Sequence, residues 1–160
     1  MKAAAIILII LVVLALGAVG FLYATSTLTV SYVDCAAEDP LVQSAYFDQL
    51  KNSLANETFI GTRFTKDDLS TADNYVFYTW TVRLTNETFL DAEVAEIQIT
   101  PMTGDVLQIG DTRQHTIKAK SDGTISATIL TNRSMHSVRE AIVTWYFWGL
   151  PFSARVTLGR

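Results

Sequence analysis

Few side chains in this 160-residue sequence could act as nucleophiles, acids, bases or metal ligands, and those few lie far apart. They are one cysteine, Cys35, two histidines, His115 and His136, and sixteen scattered carboxylates. An enzyme holds such groups together around a substrate, and none of these residues occurs in a recognisable catalytic spacing. The sequence therefore predicts a protein that is not an enzyme and that needs no cofactor.

The two histidines also do not predict a metal site. A structural zinc site usually takes four ligands, so His115 and His136 would need at least a carboxylate to complete the set. His115 lies in a polar part of a predicted strand, and His136 lies in the segment NRSMHS. We expect both imidazoles at the surface and no bound metal.

Three acidic residues lie close to Cys35 in the sequence: Asp34, Glu38 and Asp39. They lack the alternating Asp or Asn residues and the glycine turn of an EF-hand loop, so we predict a solvated linker. Neighbouring carboxylates disfavour the thiolate, and Cys35 is therefore expected to be unreactive. A single cysteine excludes an intrachain disulfide, which is more typical of a bacterial envelope protein than of a secreted eukaryotic domain.

The charge balance excludes another class of function. The chain has 12 Lys and Arg residues against 16 Asp and Glu residues, a formal net charge of -4, and no basic run. Binding of nucleic acid needs a basic surface, so no nucleic-acid partner is expected. Three tripeptides match the glycosylation sequon, beginning at Asn56, Asn86 and Asn132. In a bacterial protein the two Asn-Glu-Thr segments among them would serve as turn formers.

The stretch VTWYFWGLPFSARV, from Val143 to Val156, contains five aromatic residues among fourteen. It predicts either a hydrophobic core or a surface for binding. The stretch fits a β-hairpin. Apolar and polar residues alternate along the second strand, so Phe152 and the other apolar residues of that strand face inward. An even number of loop residues places Trp145 and Phe147 opposite that apolar face. We therefore predict that Trp145 and Phe147 belong to the core.

The same register predicts a binding site on the opposite face of the hairpin. It consists of Ile142, Tyr146, Trp148 and Arg155, with the Arg155 guanidinium near the Tyr146 ring, over which a cation can lie. Solvent-exposed aromatic residues there would mark contact with a partner. The interpretation that we favour is that a helix predicted between Pro40 and Leu54 covers this face, and the exposed binding site is the alternative.

The N-terminal segment predicts a membrane anchor. Ala3 to Leu22 are twenty residues without a charge, and at 1.5 Å rise per residue a helix of that length matches a bilayer core of ~30 Å. A cleaved signal peptide is the alternative, since Ala18-Val19-Gly20 are small, but its apolar run is usually only ~7 to 15 residues. Lys2, the one basic residue before the span, predicts a cytoplasmic N-terminus. We thus divide the chain into an anchor, 1–24, and an extracytoplasmic domain, 25–160.

One amphipathic helix is predicted near the start of that domain. Asp39 can cap it, and Pro40 can take its first position. Apolar residues then recur every four positions, at Val42, Tyr46, Leu50 and Leu54, with Phe47 beside them. We expect this stripe to pack on the domain's own sheet.

The remainder predicts short antiparallel strands. Alternation from Tyr75 to Thr85 indicates a central strand with Trp80 on its buried face. The next strand ends before Pro101. Its alternation of inward and outward residues is interrupted near Val94, which indicates a β-bulge. Further strands are predicted at 27–33, 105–109, 114–120, 124–131, 138–148 and 152–158, with a hairpin turn at Asp122-Gly123. About seven or eight strands with one short helix predict a mainly β fold, an immunoglobulin-like sandwich.

The run TVRLTNETFLDAEVAEIQITPMTGDVLQIGDTRQHTIKAKSDGTISATILT, Thr81 to Thr131, carries a family resemblance. Its order of strand, Asn-bearing turn, strand, glycine turn and closing hairpin resembles the late-embryogenesis-abundant type 2 and FxLYD-like sandwiches. The resemblance covers about a third of the chain, and the Phe-x-Leu-Tyr-Asp run is absent. It implies a sandwich fold and a membrane-anchored or extracytoplasmic location, and no functional residue carries over.

These observations predict a single-pass protein of the bacterial cell membrane whose sandwich is a non-catalytic interaction or assembly module. Its expected partners are the lipid bilayer, through residues 3–22, and another envelope protein. The alternative is a module that binds an envelope glycan or another small ligand through exposed aromatic residues.

Overall fold

The computed structural model describes residues 2–25 and 27–159, and Met1, Ser26 and Arg160 lie outside it. Two α-helices and nine β-strands follow one another along the described residues. In chain order they are α1 (Lys2–Thr25), β1 (Thr29–Glu38), α2 (Ser44–Ala55), β2 (Gly61–Arg63), β3 (Tyr75–Asn86), β4 (Ala92–Ile99), β5 (Asp105–Ile109), β6 (His115–Ile117), β7 (Ser121–Asn132), β8 (Arg139–Phe147) and β9 (Leu150–Leu158).

The strands form two antiparallel sheets that pack as a β-sandwich. The five-stranded sheet has the order β1-β3-β7-β5-β2, and the four-stranded sheet has the order β6-β4-β8-β9. The predicted mainly β, antiparallel sandwich is therefore confirmed. The predicted central position of β3 is also confirmed, because it pairs with β1 on one side and with β7 on the other.

The main core lies between the two sheets. On β3 the alternate residues Trp80, Val82 and Leu84 are fully buried, as the period of two predicts. They pack with inward residues of the facing sheet, including Val143 and Trp145 of β8. Removal of these side chains from water is the main stabilising contribution of a sandwich of this size.

A second core lies on the outer face of the five-stranded sheet, under α2. Phe47, Leu50 and Leu54 of this helix are buried against sheet residues such as Phe77 and Leu130. The prediction that the helix packs on the domain's own sheet is therefore confirmed, but the predicted stripe is only partly buried, because Val42 and Tyr46 are 84 % and 41 % exposed. The start of the helix was predicted wrongly: α2 begins at Ser44, and the Asp39 carboxylate accepts the Leu41 N–H of the preceding turn instead.

Two other local predictions have opposite outcomes. The bulge is confirmed, because Val94 has a φ of 49° and the pairing of β4 with β6 shifts between Ala92 and Ala95. The hairpin turn at Asp122-Gly123 is wrong, because both residues lie inside β7. β6 and β7 belong to different sheets, and the chain turns between them at residues 119–120, where Lys120 has a φ of 55°.

The segment around Cys35 also differs from its prediction. Asp34 to Glu38 belong to β1, opposite residues of β3, and are not a linker. The strand extends this far because β3 is long enough to pair with it from Phe77 to Thr85. Cys35 lies across from Trp80, and partial burial, followed by the charge of Asp34, raises the pKa of its thiol. The expected lack of reactivity agrees with that direction.

Helix α1 is 24 residues long, and its large side chains between Ile6 and Phe21 are 50–68 % exposed. The predicted span from Ala3 to Leu22 falls within it. Across the residues that the structure describes, no helix satisfies the length and apolarity required to cross a membrane.

A buried ion pair joins the two sheets. Arg139 of β8 and Asp105 of β5 are both fully buried, and Nη2 and Nε of Arg139 donate to the Asp105 carboxylate over 2.6 Å and 2.9 Å. Arg139 Nη1 donates to the carbonyls of His136 and Val138, and the Met102 N–H donates to Asp105. The pair therefore has its hydrogen bonds satisfied on both sides, as a buried pair requires.

Replacement of one partner of this pair should strongly destabilise the protein. Arg139→Met leaves the Asp105 carboxylate buried without its cation, which typically costs ~3–5 kcal/mol. Arg139→Met combined with Asp105→Leu buries no charge and should be more stable than the single variant. The measurement is urea unfolding of the full chain in detergent.

The exposed pair of Arg113 with Asp111 provides a matched control. Arg113→Met removes the same guanidinium from a solvated position and should lower the free energy of unfolding far less than Arg139→Met does. Equal losses for Arg113→Met and Arg139→Met, or a double variant less stable than Arg139→Met, would contradict the role assigned to the buried pair.

Candidate functional site

The β8–β9 hairpin has the predicted even register. Trp148 and Gly149 form a two-residue turn with φ of 51° and 74°, values that the common two-residue hairpin turn requires. Trp145 lies across from Phe152, and their rings stack with centroids 6.3 Å apart. Trp145 and Phe147 are each only 2 % exposed, so their assignment to the core is confirmed.

The four residues of the predicted binding site do not form one cluster. Arg155 lies across from Ile142, whereas Pro151 lies across from Tyr146, so the predicted placement of Arg155 beside Tyr146 is wrong. Ile142 is half-buried in the middle of the outer face. Tyr146 is 37 % exposed near the end of β8, and Trp148 is 65 % exposed in the turn that follows.

The proposed cover of this face by the helix is also wrong. Helix α2 packs on β3, β5 and β7 of the five-stranded sheet, whereas Tyr146 and Ile142 lie on the four-stranded sheet. The sequence pattern could not decide between the sheets, because both have apolar residues on their outer faces and the helix could pack on either. Tyr146 and Trp148 are therefore exposed in this structure.

The hairpin turn lies at the same end of the sandwich as the start of β1. Thr29 of β1 pairs with Thr85 near the end of β3, and Tyr146 pairs with Glu93 near the start of β4, the next strand along the chain. We call this region the α1 end, defined by Leu28 and by residues 87–91, 118–120 and 148–150. It also contains Phe89, which is 84 % exposed.

Asn86 connects the strands at the α1 end. Its side chain is buried, and Nδ2 donates to the carbonyls of Leu90 and Ile117 over 2.7 Å and 3.1 Å. Its Oδ1 accepts the N–H and hydroxyl of Thr88. The predicted turn-forming role of this Asn-Glu-Thr segment is therefore confirmed, and Nδ2 is not accessible for glycosylation in the folded protein.

A cleft of about 280 Å³ opens between the sheets beside β5 and β4. The Gln108 amide lines the cleft and bridges the sheets, since Oε1 accepts the Ile99 N–H and Nε2 donates to the Ile97 carbonyl, both over 2.8 Å. Glu96 and His115 line the cleft. Sequence analysis missed this site, and the only local signal was the alternate spacing of Asp111, Arg113 and His115.

The three residues of that spacing form one cluster. The Asp111 carboxylate accepts hydrogen bonds from Arg113 Nε over 3.0 Å and from His115 Nε2 over 2.8 Å. The side-chain hydrogen bonds, from Arg113 first and then from His115, hold the pKa of Asp111 well below its usual range. His115 is half-buried, so its expected placement at the open surface is only partly correct.

The chemistry available in the cleft is limited. A carboxylate that orients a histidine is one part of an acid–base set, but such a set also needs a nucleophile within hydrogen-bond reach of the ring. Residues 2–25 and 27–159 contain no group of three or more His, Cys, Asp and Glu side chains placed to hold a metal ion. The arrangement is suited to the binding of a small polar group.

Comparisons with known proteins give little further information. No family model matches the chain. No curated protein matches it. A similar solved structure is the cupredoxin domain of amoB from Nitrosocaldus yellowstonii, with 11 % identity over 83 % of this chain and 88 % of that chain and a TM-score of 0.32. This likeness is too slight to carry an argument about function. The resemblance to late-embryogenesis-abundant type 2 and FxLYD-like proteins stays a prediction beyond the sandwich itself.

The Asp111 cluster predicts part of the acid sensitivity of the protein. The pKa of Asp111 is lower in the folded chain than the ~3.9 of an unfolded chain, so its stabilisation is complete above that pH and is lost as pH falls towards the folded value. Asp111→Asn should therefore lose less stability than the wild type as pH falls from about 5 to about 2. Chemical unfolding at a series of pH values measures this.

Arg113→Gln removes the largest cause of the lowered pKa and should flatten the profile in the same direction, by less. A profile for Asp111→Asn that is as steep as that of the wild type would show that the cluster is not formed in solution.

Proposed function

We propose that this protein is a single-pass, membrane-anchored module whose immunoglobulin-like sandwich binds another envelope protein outside the cytoplasm and performs no catalysis. The exposed apolar surface of α1 carries the proposal. Twelve large apolar side chains between Ile6 and Phe21 are exposed on all sides of that helix. Transfer of each from water to an apolar phase is worth ~1.5–3 kcal/mol, so the helix needs an apolar environment.

A lipid bilayer supplies that environment. The 24 residues of α1 give a helix of about 36 Å, compared with ~30 Å for the hydrocarbon core. The helix has no polar face that could lie against water, which a helix resting on the membrane surface would have. Lys2 at its start favours a cytoplasmic N-terminus and a sandwich on the other side.

The end of the sandwich away from α1 is the surface that we assign to the protein partner. It carries exposed Leu41 and Val42, the latter 84 % exposed, after β1. Exposed Met102 and Val138 line a shallow groove of about 510 Å³ at the same end, next to the Asp105–Arg139 pair. Exposed apolar groups rimmed by polar residues are typical of protein contacts.

A second candidate function is the binding of an envelope glycan or another small ligand. The exposed rings of Tyr146 and Trp148 near the β8–β9 turn favour it, because sugars stack on such rings, and the Asp111–Arg113–His115 cleft offers polar contacts. Mild cross-linking in membranes separates the two functions. A reproducible protein adduct supports the first, and a glycan bound without an adduct supports the second.

The anchor is tested by a charge placed in α1. Leu11→Arg puts a guanidinium at the middle of the proposed span, where its insertion is strongly unfavourable. The wild type should resist extraction by alkaline carbonate and should float with phospholipid vesicles, and Leu11→Arg should lose most of both properties. Membrane fractionation and flotation of the full chain measure this.

Val138→Arg is the matched control, because it places the same charge on the exposed surface of the sandwich. It should float as the wild type does. Flotation of Leu11→Arg at the wild-type level, or extraction of the wild type by carbonate, would contradict the proposed anchor.

A further inference from the structure

The α1 end of the sandwich is held close to the point where the helix stops. Helix α1 ends at Thr25, β1 begins at Thr29, and Leu28 is already buried in the main core. Four residue steps span at most about 14 Å when fully extended. If α1 crosses the bilayer, as proposed above, the α1 end must therefore lie at the lipid headgroups.

Exposed apolar side chains are present at this end. Phe89 is 84 % exposed in the loop between β3 and β4, Trp148 is 65 % exposed in the β8–β9 turn, and Leu150 is 47 % exposed just after it. Tyr146 lies beside them, paired with Pro151. Two different connections, the β3–β4 loop and the β8–β9 turn, thus place aromatic or aliphatic side chains at the same end as α1.

The types of these residues match the chemistry of a membrane interface. Trp and Tyr are enriched there because their rings are apolar while the indole N–H and phenol hydroxyl remain hydrated. Lys120 lies over the Phe89 ring, with Nζ 4.2 Å from its centroid, and the same Nζ donates to the Glu87 carbonyl. A lysine in this position can keep its charge at the headgroups while its stem covers apolar surface.

The charges at the α1 end decide which lipid is expected. Lys118 is already paired with Asp91 over 2.7 Å, and Glu87 and Asp122 lie near Lys120. These acidic groups balance the lysines, so attraction to anionic lipid is not the source of affinity. The apolar side chains supply the contact, and a zwitterionic bilayer is sufficient.

We propose that the α1 end is a bilayer-docking surface, in which Phe89, Trp148 and Leu150 enter the interfacial layer of the membrane. The inference depends on the proposed anchor. Because α1 already holds the sandwich at the membrane, the docking contact acts at a high effective concentration and can be weak by itself. It fixes the orientation of the sandwich, with the opposite end directed away from the bilayer.

Trp148 reports on this contact directly. The chain has three tryptophans, and the other two, Trp80 and Trp145, are 0 % and 2 % exposed in the core. The full chain is reconstituted in phosphatidylcholine vesicles whose acyl chains are brominated near the headgroup, since bromine quenches indole fluorescence at short range. We expect quenching in the wild type and its loss in Trp148→Phe, which keeps an apolar ring.

The double variant Phe89→Ser, Leu150→Ser keeps the reporter and removes its apolar neighbours. It should float as the wild type does but show weaker quenching of Trp148. Its near-ultraviolet circular dichroism, which depends on the packed Trp80 and Trp145, verifies that the sandwich is folded. Unchanged quenching in this folded variant would overturn the role of Phe89 and Leu150 in docking.

The other outcomes separate the inference from the proposed function. One outcome is that the chain floats and that aqueous acrylamide quenches Trp148 while the brominated lipid does not. The sandwich then lies away from the membrane. This result would contradict the docking surface but not the anchor. Shielding of Trp148 from both quenchers would show that protein covers it, such as a second copy of this chain, and would also overturn the inference. A chain that does not float contradicts the proposed anchor itself.

Discussion

The ion pair between Asp105 and Arg139 is the interaction on which the arrangement of the two sheets depends. It is fully buried, and it connects the first residue of β5 in one sheet to the first residue of β8 in the other. A buried ion pair adds little to the net stability of a protein. An arrangement of the strands that leaves one of its charges buried and unpaired is, however, strongly destabilised. Separation of Asp105 from Arg139 would leave a buried charge unpaired in this way, while the apolar core supplies most of the stabilisation.

A different set of buried, hydrogen-bonded polar side chains closes each end of the sandwich. At the end away from α1 the ion pair is completed by the backbone around residues 136–138. At the α1 end the neutral side chain of Asn86 performs the same task, with its amide shared between the loop after β3 and the end of β6. The Asp105–Arg139 pair and Asn86 are all buried, so the exposed apolar side chains at either end remain available for contact with other molecules.

Much of the fold could be predicted from the sequence because it depends on local patterns. Alternation identified β3, a change of phase identified the bulge at Val94, and the polar residues of β9 fixed the register that buries Trp145. The prediction of a turn at Asp122-Gly123 was wrong because the chain turns earlier, at residues 119–120, and both residues lie inside β7. Gly123 instead packs against Ile117, since a Cβ there would lie 2.4 Å from Cδ1 of Ile117 and would require that side chain to shift.

The candidate sites were harder to predict because they depend on contacts distant in the sequence. Asp105 and Arg139 are 34 residues apart, and strand patterns do not reveal which inward polar residues meet. The sequence also did not determine which sheet α2 covers, since both sheets have apolar residues on their outer faces. Trp148 was singled out from the sequence as an exposed aromatic residue, but its position at the α1 end followed only from the strand order.

We infer that the sandwich stands upright on the membrane at its α1 end. β3 has 12 residues and at ~3.3 Å per residue is about 40 Å long, which sets the height of an upright sandwich. Neutron reflectometry of the full chain in a supported phosphatidylcholine bilayer measures that height. The account predicts one protein layer about 40 Å thick that adjoins the headgroups. A distinctly thinner layer, or a layer separated from the headgroups by water, would contradict it.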